Sequence, residues 1–97
     1  MLDHKYKVFY HLAKNPNTTK VAEELLLTQP AISKNIKELE KELGITLFLR
    51  EKGRMQLTEA GKYLFEKTEF LIQREREIDY EMGKMRASIK GTLCLGA

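Results

Sequence analysis

The sequence predicts a mainly α-helical chain: three short helices and a β-hairpin close a small domain, and one long helix follows. Three observations predict it. Apolar residues recur at helical spacing from Leu2 to Ala13 and again from Ile32 to Leu43. The stretch from Ile45 to Leu57 instead alternates about a charged turn that contains glycine. From Thr58 onward, apolar residues repeat every seventh position. A length of 97 residues fits one such domain with an extension.

The first helix is expected over about Asp3 to Lys14. Leu2, Tyr6, Phe9 and Ala13 follow its period, and Tyr10 and Leu12 widen the stripe. Asp3 is the N-cap candidate, and Asn15-Pro16-Asn17 ends the helix, because the residue before proline avoids helical backbone. Its aromatics are expected in the core. Thr18 or Thr19 then caps a short second helix with Val21, Ala22 and Leu25 inward, and Leu26-Leu27 leads into a turn.

The third helix carries the chemistry. Thr28 is its N-cap candidate. Gln29 and Pro30 fill the first turn, where proline loses no hydrogen bond and its φ is already helical. Ile32, Ile36, Leu39 and Leu43 form the apolar stripe, and Pro30, Ser33, Lys34, Lys37 and Lys41 fall on the opposite side. A face of short polar and cationic side chains suits the DNA major groove, where polar groups read base edges and cations meet phosphates. Gln29 can pair bidentately with the adenine edge, and Pro30 can meet a thymine methyl. Lysines on the outer face of an amphipathic helix are also the ordinary solvated arrangement, so the stripe alone leaves both readings open.

Gly44 is placed as a left-handed C-cap. Ile45, Leu47 and Leu49 alternate with Thr46, Phe48 and Arg50 as a short strand. Glu51-Lys52-Gly53-Arg54 turns, and Met55-Gln56-Leu57 returns. A hairpin after a helix-turn-helix is a wing, so residues 1–57 read as a winged helix-turn-helix. Arg50, Lys52 and Arg54 place cations there for phosphates or a narrow minor groove, although Glu51 works against that patch. Thr58 caps a last helix continuing to about Ser88, with Lys90-Gly91 at its end. Leu64, Leu71, Ile78 and Met85 form one heptad series, and Thr68, Glu75, Met82 and Ile89 its companion. The apolar members Leu64, Leu71, Ile78, Met82, Met85 and Ile89 are the candidate dimerisation seam of a linker helix over 58–90. Tyr63, Phe65 and Phe70 are expected to anchor this helix to the winged domain. Thr92 to Gly96 looks β-like.

Composition bounds the function. No run of eighteen apolar residues is present, so no membrane span is expected, and the N-terminus lacks the apolar core of a signal peptide. The expected location is the cytoplasm. A single Cys94 excludes an intramolecular disulfide and a cysteine-rich zinc site, and His4 and His11 lack partners at metal spacing. The net charge of +3 resides in residues 1–57, with ten Lys/Arg against seven Asp/Glu, whereas residues 58–97 hold seven of each. A local excess of this kind is enough to steer towards nucleic acid. Enzyme readings lack their parts: there is no glycine-rich phosphate loop, no HExxH and no nucleophile elbow. No catalytic residue, metal ligand or cofactor is assigned.

The run Thr28, Gln29, Pro30, Ala31, Ile32, Ser33, Lys34, then Ile36, Lys37, Leu39, Glu40, Leu43, Gly44, Leu47, Phe48, Arg50, with LTEAG at Leu57 to Gly61, resembles the N-terminal domain of LysR-type transcriptional regulators. The resemblance covers nearly the whole chain. It departs at Thr18, often aromatic in the family, and at Val21, often alanine. It implies DNA binding through Thr28, Gln29, Pro30, Ser33, Lys34, Lys37, Arg50 and Arg54, on an inverted-repeat operator read by a homodimer with antiparallel linker helices. It further implies that residues 91–97 begin the first strand of an effector-binding domain, with Cys94 buried there. A small co-inducer would bind in that domain, and a tetramer and contact with RNA polymerase are open to the full-length protein. Two alternatives stay open: a winged-helix module for dimerisation or protein interaction, and a regulator of another winged-helix family, such as the molybdate-responsive type.

Overall fold

A computed structural model describes residues 2–51 and 54–93, the side chains of 89–93 excepted. The expected turn at Lys52-Gly53, the Ile89 side chain and the expected strand from Cys94 onward therefore lie outside the described residues. In chain order the elements are α1 (His4–Lys14), α2 (Thr18–Leu25), α3 (Gln29–Leu43), β1 (Phe48–Glu51), β2 (Arg54–Leu57) and α4 (Glu59–Leu93).

Local chemistry sets the helix ends. The Asp3 carboxylate accepts from the Lys5 backbone N–H at 3.0 Å, and the Thr28 hydroxyl accepts from Ala31 N–H at 3.2 Å, each taking up a donor with no partner inside the helix. The cap of α2 is Asn17, whose Oδ1 accepts from Lys20 N–H at 3.1 Å, rather than Thr18 or Thr19, which are the first two residues of the helix. Two backbone positions turn left-handed. Gly44 does so at φ 68°, where glycine meets no Cβ penalty. Leu26 does so at φ 57°, and its side chain stands 91% exposed between α2 and α3. That conformation costs a leucine about 1 kcal/mol. It is held by Leu27 N–H donating to Ala22 C=O at 2.8 Å.

One core joins these elements. Val8, Phe9 and Leu12 of α1 meet Val21 and Ala22 of α2, Ile32, Ile36 and Leu39 of α3, and Leu47. The buried face of α1 is wider than its expected stripe and includes Val8, because α1 packs on α3 and on α4. Leu43 does not complete the α3 stripe: it is 43% exposed, lying in the last turn beyond the cover of α1.

The expected strand over 45–50 is shorter and shifted. Antiparallel pairing runs from Phe48↔Leu57 to Glu51↔Arg54. Residues 45–47 are withheld from the ladder because helices claim their backbone. The Glu40 carboxylate accepts from Leu47 N–H at 2.6 Å and Phe48 N–H at 3.2 Å. Leu47 C=O accepts from Thr58 N–H at 3.0 Å. The Thr58 hydroxyl donates to Thr46 C=O at 2.7 Å and accepts from Gly61 N–H at 3.0 Å, capping α4 as expected. Gly61 lies so close that a Cβ there would stand 2.3 Å from Leu47 O.

Helix α4 runs 35 residues, past the expected end at Lys90-Gly91 and through Thr92 and Leu93, which are helical rather than β-like. An internal glycine costs a helix only about 1 kcal/mol, too little to stop it without a cap. Its first turns pack on the domain through Ala60, Leu64 and Phe65, and the Phe65 ring stacks on Tyr10 at 5.5 Å. Tyr63 and Phe70 are not anchors; they are 65% and 54% exposed, on another side of the helix. Thr68 and Ile72 are buried. Glu75 accepts from Leu2 N–H at 2.8 Å and pairs with Lys7 at 3.2 Å.

Two expectations follow for stability. Glu40→Ala strips two backbone donors of their acceptor and should lower unfolding free energy in urea by about 3 kcal/mol. Thr68→Val removes a fully buried hydroxyl that has no hydrogen-bond partner among the described residues, and should leave stability unchanged or raise it by about 1 kcal/mol. Acid should destabilise the fold in two stages. Burial holds the His11 imidazole below its ordinary 6.5; the folded state resists its proton, so stability falls as pH drops below that value. The Leu2 N–H and the Lys7 ammonium hold the Glu75 carboxyl below its ordinary 4.5, so its contribution is present above that pH and lost below it as the group protonates. In a pH series of melting temperatures, His11→Gln should flatten the upper stage and Glu75→Gln the lower.

Candidate nucleic-acid interface

Helix α3 divides cleanly. Ile32, Ile36 and Leu39 are buried, while Thr28, Gln29, Pro30, Ser33, Lys34 and Lys37 all stand exposed. The division follows from the fold: α1 and α2 cover one side of α3, and among the described residues no helix packs on the other. Pro30, Ser33, Lys34, Lys37 and Lys41 line one shallow surface groove with Glu38. Lys34 approaches Glu38 at 3.9 Å, an exposed i,i+4 pair of the weak kind that an incoming anion can break. The Asn35 amide donates to Ala31 C=O at 2.8 Å and is occupied within the helix.

The hairpin brings the other two candidates to the same side. Arg50 and Arg54 are exposed, and with Gln29 they line a groove of about 600 Å³ beside the start of α2. The eight expected DNA-contacting residues thus share two neighbouring concavities, except Thr28, whose hydroxyl caps α3 and stays exposed beside Gln29. Among the described residues neither arginine, nor Lys37, has an ion-pair partner. The same groove contains Asn17, Thr18, Thr19 and Gln56, which the sequence reading did not assign to the site. A groove between elements far apart in sequence leaves no periodic signal in either one.

The expected seam on α4 splits. Leu71, Ile78, Met82 and Met85 stand 52%, 44%, 52% and 51% exposed, an apolar stripe that the described residues leave half open. Leu64 is half-buried on the core of its own domain, Thr68 is buried, and Glu75 bonds to the Leu2 backbone and to Lys7. Among the described residues no cluster of His, Cys, Asp and Glu could hold a metal ion, and no helix is long and apolar enough to cross a membrane.

Residues 4–62 match the family model described as the bacterial regulatory helix-turn-helix protein, lysR family. The chain is 36% identical over 87 residues to the RuBisCO operon transcriptional regulator of Allochromatium vinosum, covering 90% of this chain and 29% of that protein. Thus it spans under a third of that relative's length. A crystal structure of a LysR-family transcriptional regulator from Eggerthella lenta DSM 2243 superposes with a TM-score of 0.65 at 40% identity, over 69% of this chain and 96% of that one. The CbnR DBD–DNA complex superposes with a TM-score of 0.74 at 28% identity, over 89% of this chain and all of that one. The relatives are regulators rather than enzymes, and the match spans every element from α1 into the start of α4: the chain belongs to the lysR family of bacterial regulatory helix-turn-helix proteins.

Proposed function

We propose that this chain is the DNA-reading part of a transcription regulator, acting in the cytoplasm as a homodimer on an inverted-repeat operator. The observation that carries the reading is the exposed face of α3. It holds no large aliphatic residue, it carries three lysines, and it adjoins two arginines that have no ion-pair partner among the described residues. Gln29, Pro30, Ser33 and Lys34 lie towards the start of the helix and read base edges in the major groove. Thr28, Lys37, Arg50 and Arg54 hold flanking phosphates or the minor groove. Residues 1–57 form the reading unit.

Dimerisation belongs to α4. Leu71, Ile78, Met82 and Met85 recur over fourteen residues, roughly 21 Å of helix, and leave a continuous apolar stripe that a second copy would cover. Twofold symmetry then presents two α3 helices to a palindromic site. Control by a small co-inducer bound outside these residues is part of the same proposal, supported by family membership.

Two measurements test it. In fluorescence anisotropy against a duplex selected from random sequence by this protein, and its scrambled version, Lys34→Ala should weaken binding to the selected duplex by about 1–3 kcal/mol and leave the scrambled one little changed. Equal loss on both would reassign Lys34 to phosphate. Ile78→Glu should convert a dimer to a monomer in sedimentation equilibrium. A variant that stays dimeric would remove the α4 stripe from the interface.

A further inference from the structure

Helix α3 carries three acids in its second half, and two of them serve the fold. Glu40 accepts from the Leu47 and Phe48 backbone N–H groups. Glu42 pairs with Lys5 of α1. Glu38 does neither. It is exposed, and among the described residues it makes no hydrogen bond and one ion pair, with Lys34 at 3.9 Å. The four-residue spacing puts the two side chains on one face of the helix. The groove that holds them is otherwise lined by Pro30, Ser33, Lys37 and Lys41. Taken with the groove beside the wing, Glu38 is the one carboxylate among the described lining residues. An exposed pair of this kind adds little to a helix, so stability does not account for an acid set into a face of lysines. A carboxylate accepts hydrogen bonds and donates none. Against a phosphate, a guanine edge or thymine O4 it meets acceptors and is repelled; the major-groove groups that can donate to it are the amines at cytosine N4 and adenine N6.

We infer that Glu38 is a specificity-determining residue of this interface and that it acts by exclusion: its carboxylate opposes every placement of the duplex except one that sets a cytosine or adenine amine before it. The inference rests on the DNA-binding reading and deepens it. Lys34, Lys37 and Lys41 attract any duplex, because phosphates are alike in every sequence. Glu38 subtracts from that attraction wherever it meets phosphate or a base acceptor. On the operator a base amine satisfies the carboxylate, and Lys34 is released towards an acceptor such as guanine O6 or N7. Specificity is a difference of affinities, so a repulsive group that weakens the wrong complexes widens it without strengthening the right one.

The test measures binding of the 97-residue chain to the selected duplex and to its scrambled version by anisotropy. Glu38→Gln removes the charge, keeps a good helix former and still accepts a hydrogen bond from a base amine. It should bind the scrambled duplex about fivefold more tightly, the size of a repulsion between unit charges a few ångströms apart in water. On the selected duplex its affinity should stay within about twofold of the wild type, since the amide oxygen replaces the carboxylate as acceptor. Sites reselected from random sequence with this variant should lose preference at a single base pair in each half-site. The gain on the scrambled duplex should persist when Glu38→Gln is added to Lys34→Ala, because the carboxylate repels DNA by itself. Glu66→Gln, which removes the same charge from an exposed position of α4 outside both grooves, should change neither affinity. Equal tightening on both duplexes, an equal gain from Glu66→Gln, or a gain that vanishes without Lys34 would overturn the exclusion role. Weaker binding confined to the selected duplex would overturn it too, by making the carboxylate an attractive contact. In all four cases Lys34→Ala would still discriminate sequence. Failure of the wild type to bind any duplex would overturn the DNA reading itself and this inference with it.

Discussion

The winged domain depends on one carboxylate. Glu40 sits near the end of α3, and its side chain receives the backbone donors of Leu47 and Phe48, while its own carbonyl accepts from Ile45 N–H at 3.1 Å. Charge-assisted bonds of this kind contribute about 1.5–3 kcal/mol each, but their placement counts for more than their sum. They reverse the chain just after α3, insert Leu47 into the core and start the hairpin at Phe48. Phe48 then meets Phe9 ring to ring at 5.5 Å, and α1, α3 and the wing share one interior. The position of Arg50 and Arg54 relative to the exposed polar face of α3 is inherited from that reversal. Thr58 and Gly61 extend the arrangement, since Leu47 C=O, left free by the Glu40 contact, receives Thr58 N–H and sits against Gly61.

The surroundings of helix α4 change along its length. Its first turns belong to the domain through Leu64, Phe65, Thr68 and Ile72. Leu71, Ile78, Met82 and Met85 stand exposed on another side, while Glu75, a polar member of the heptad, turns back to Lys7 and the Leu2 backbone. A heptad count alone cannot distinguish an inward-facing threonine from an outward-facing leucine, because both keep the same seven-residue spacing.

That limit marks how much was legible in the residues. Helices with a strong period and a clean cap, α1 and α3, lie where Asp3, Thr28 and Gly44 place them. The exposed polar face of α3 was legible because the same period that buries Ile32 and Ile36 exposes Ser33, Lys34 and Lys37. Alternation misled at Ile45 and Leu47, where tertiary hydrogen bonds from Glu40 and Thr58 override a local strand pattern. The cap of α2 was misplaced by one residue because Asn17, Thr18 and Thr19 are all competent caps. Leu26 carries no sequence signal for its left-handed backbone, which glycine or asparagine would ordinarily mark. The groove shared by α2 and the wing arises only when residues 17–19, Arg50 and residues 54–56 are brought together in three dimensions.

The contact between Glu75 and the amino end of α1 lies where α4 leaves the domain. Beyond it, the helix continues to Leu93 without crossing another element among the described residues. That free length is roughly 27 Å, so α4 is a lever whose fulcrum is an ion pair on the surface of a domain. A tilt of about 10° at the fulcrum moves the far end by roughly 5 Å, more than the three-residue rise of an α-helix. Small changes in how Lys7 and Leu2 hold Glu75 are therefore magnified at the opposite end of the molecule.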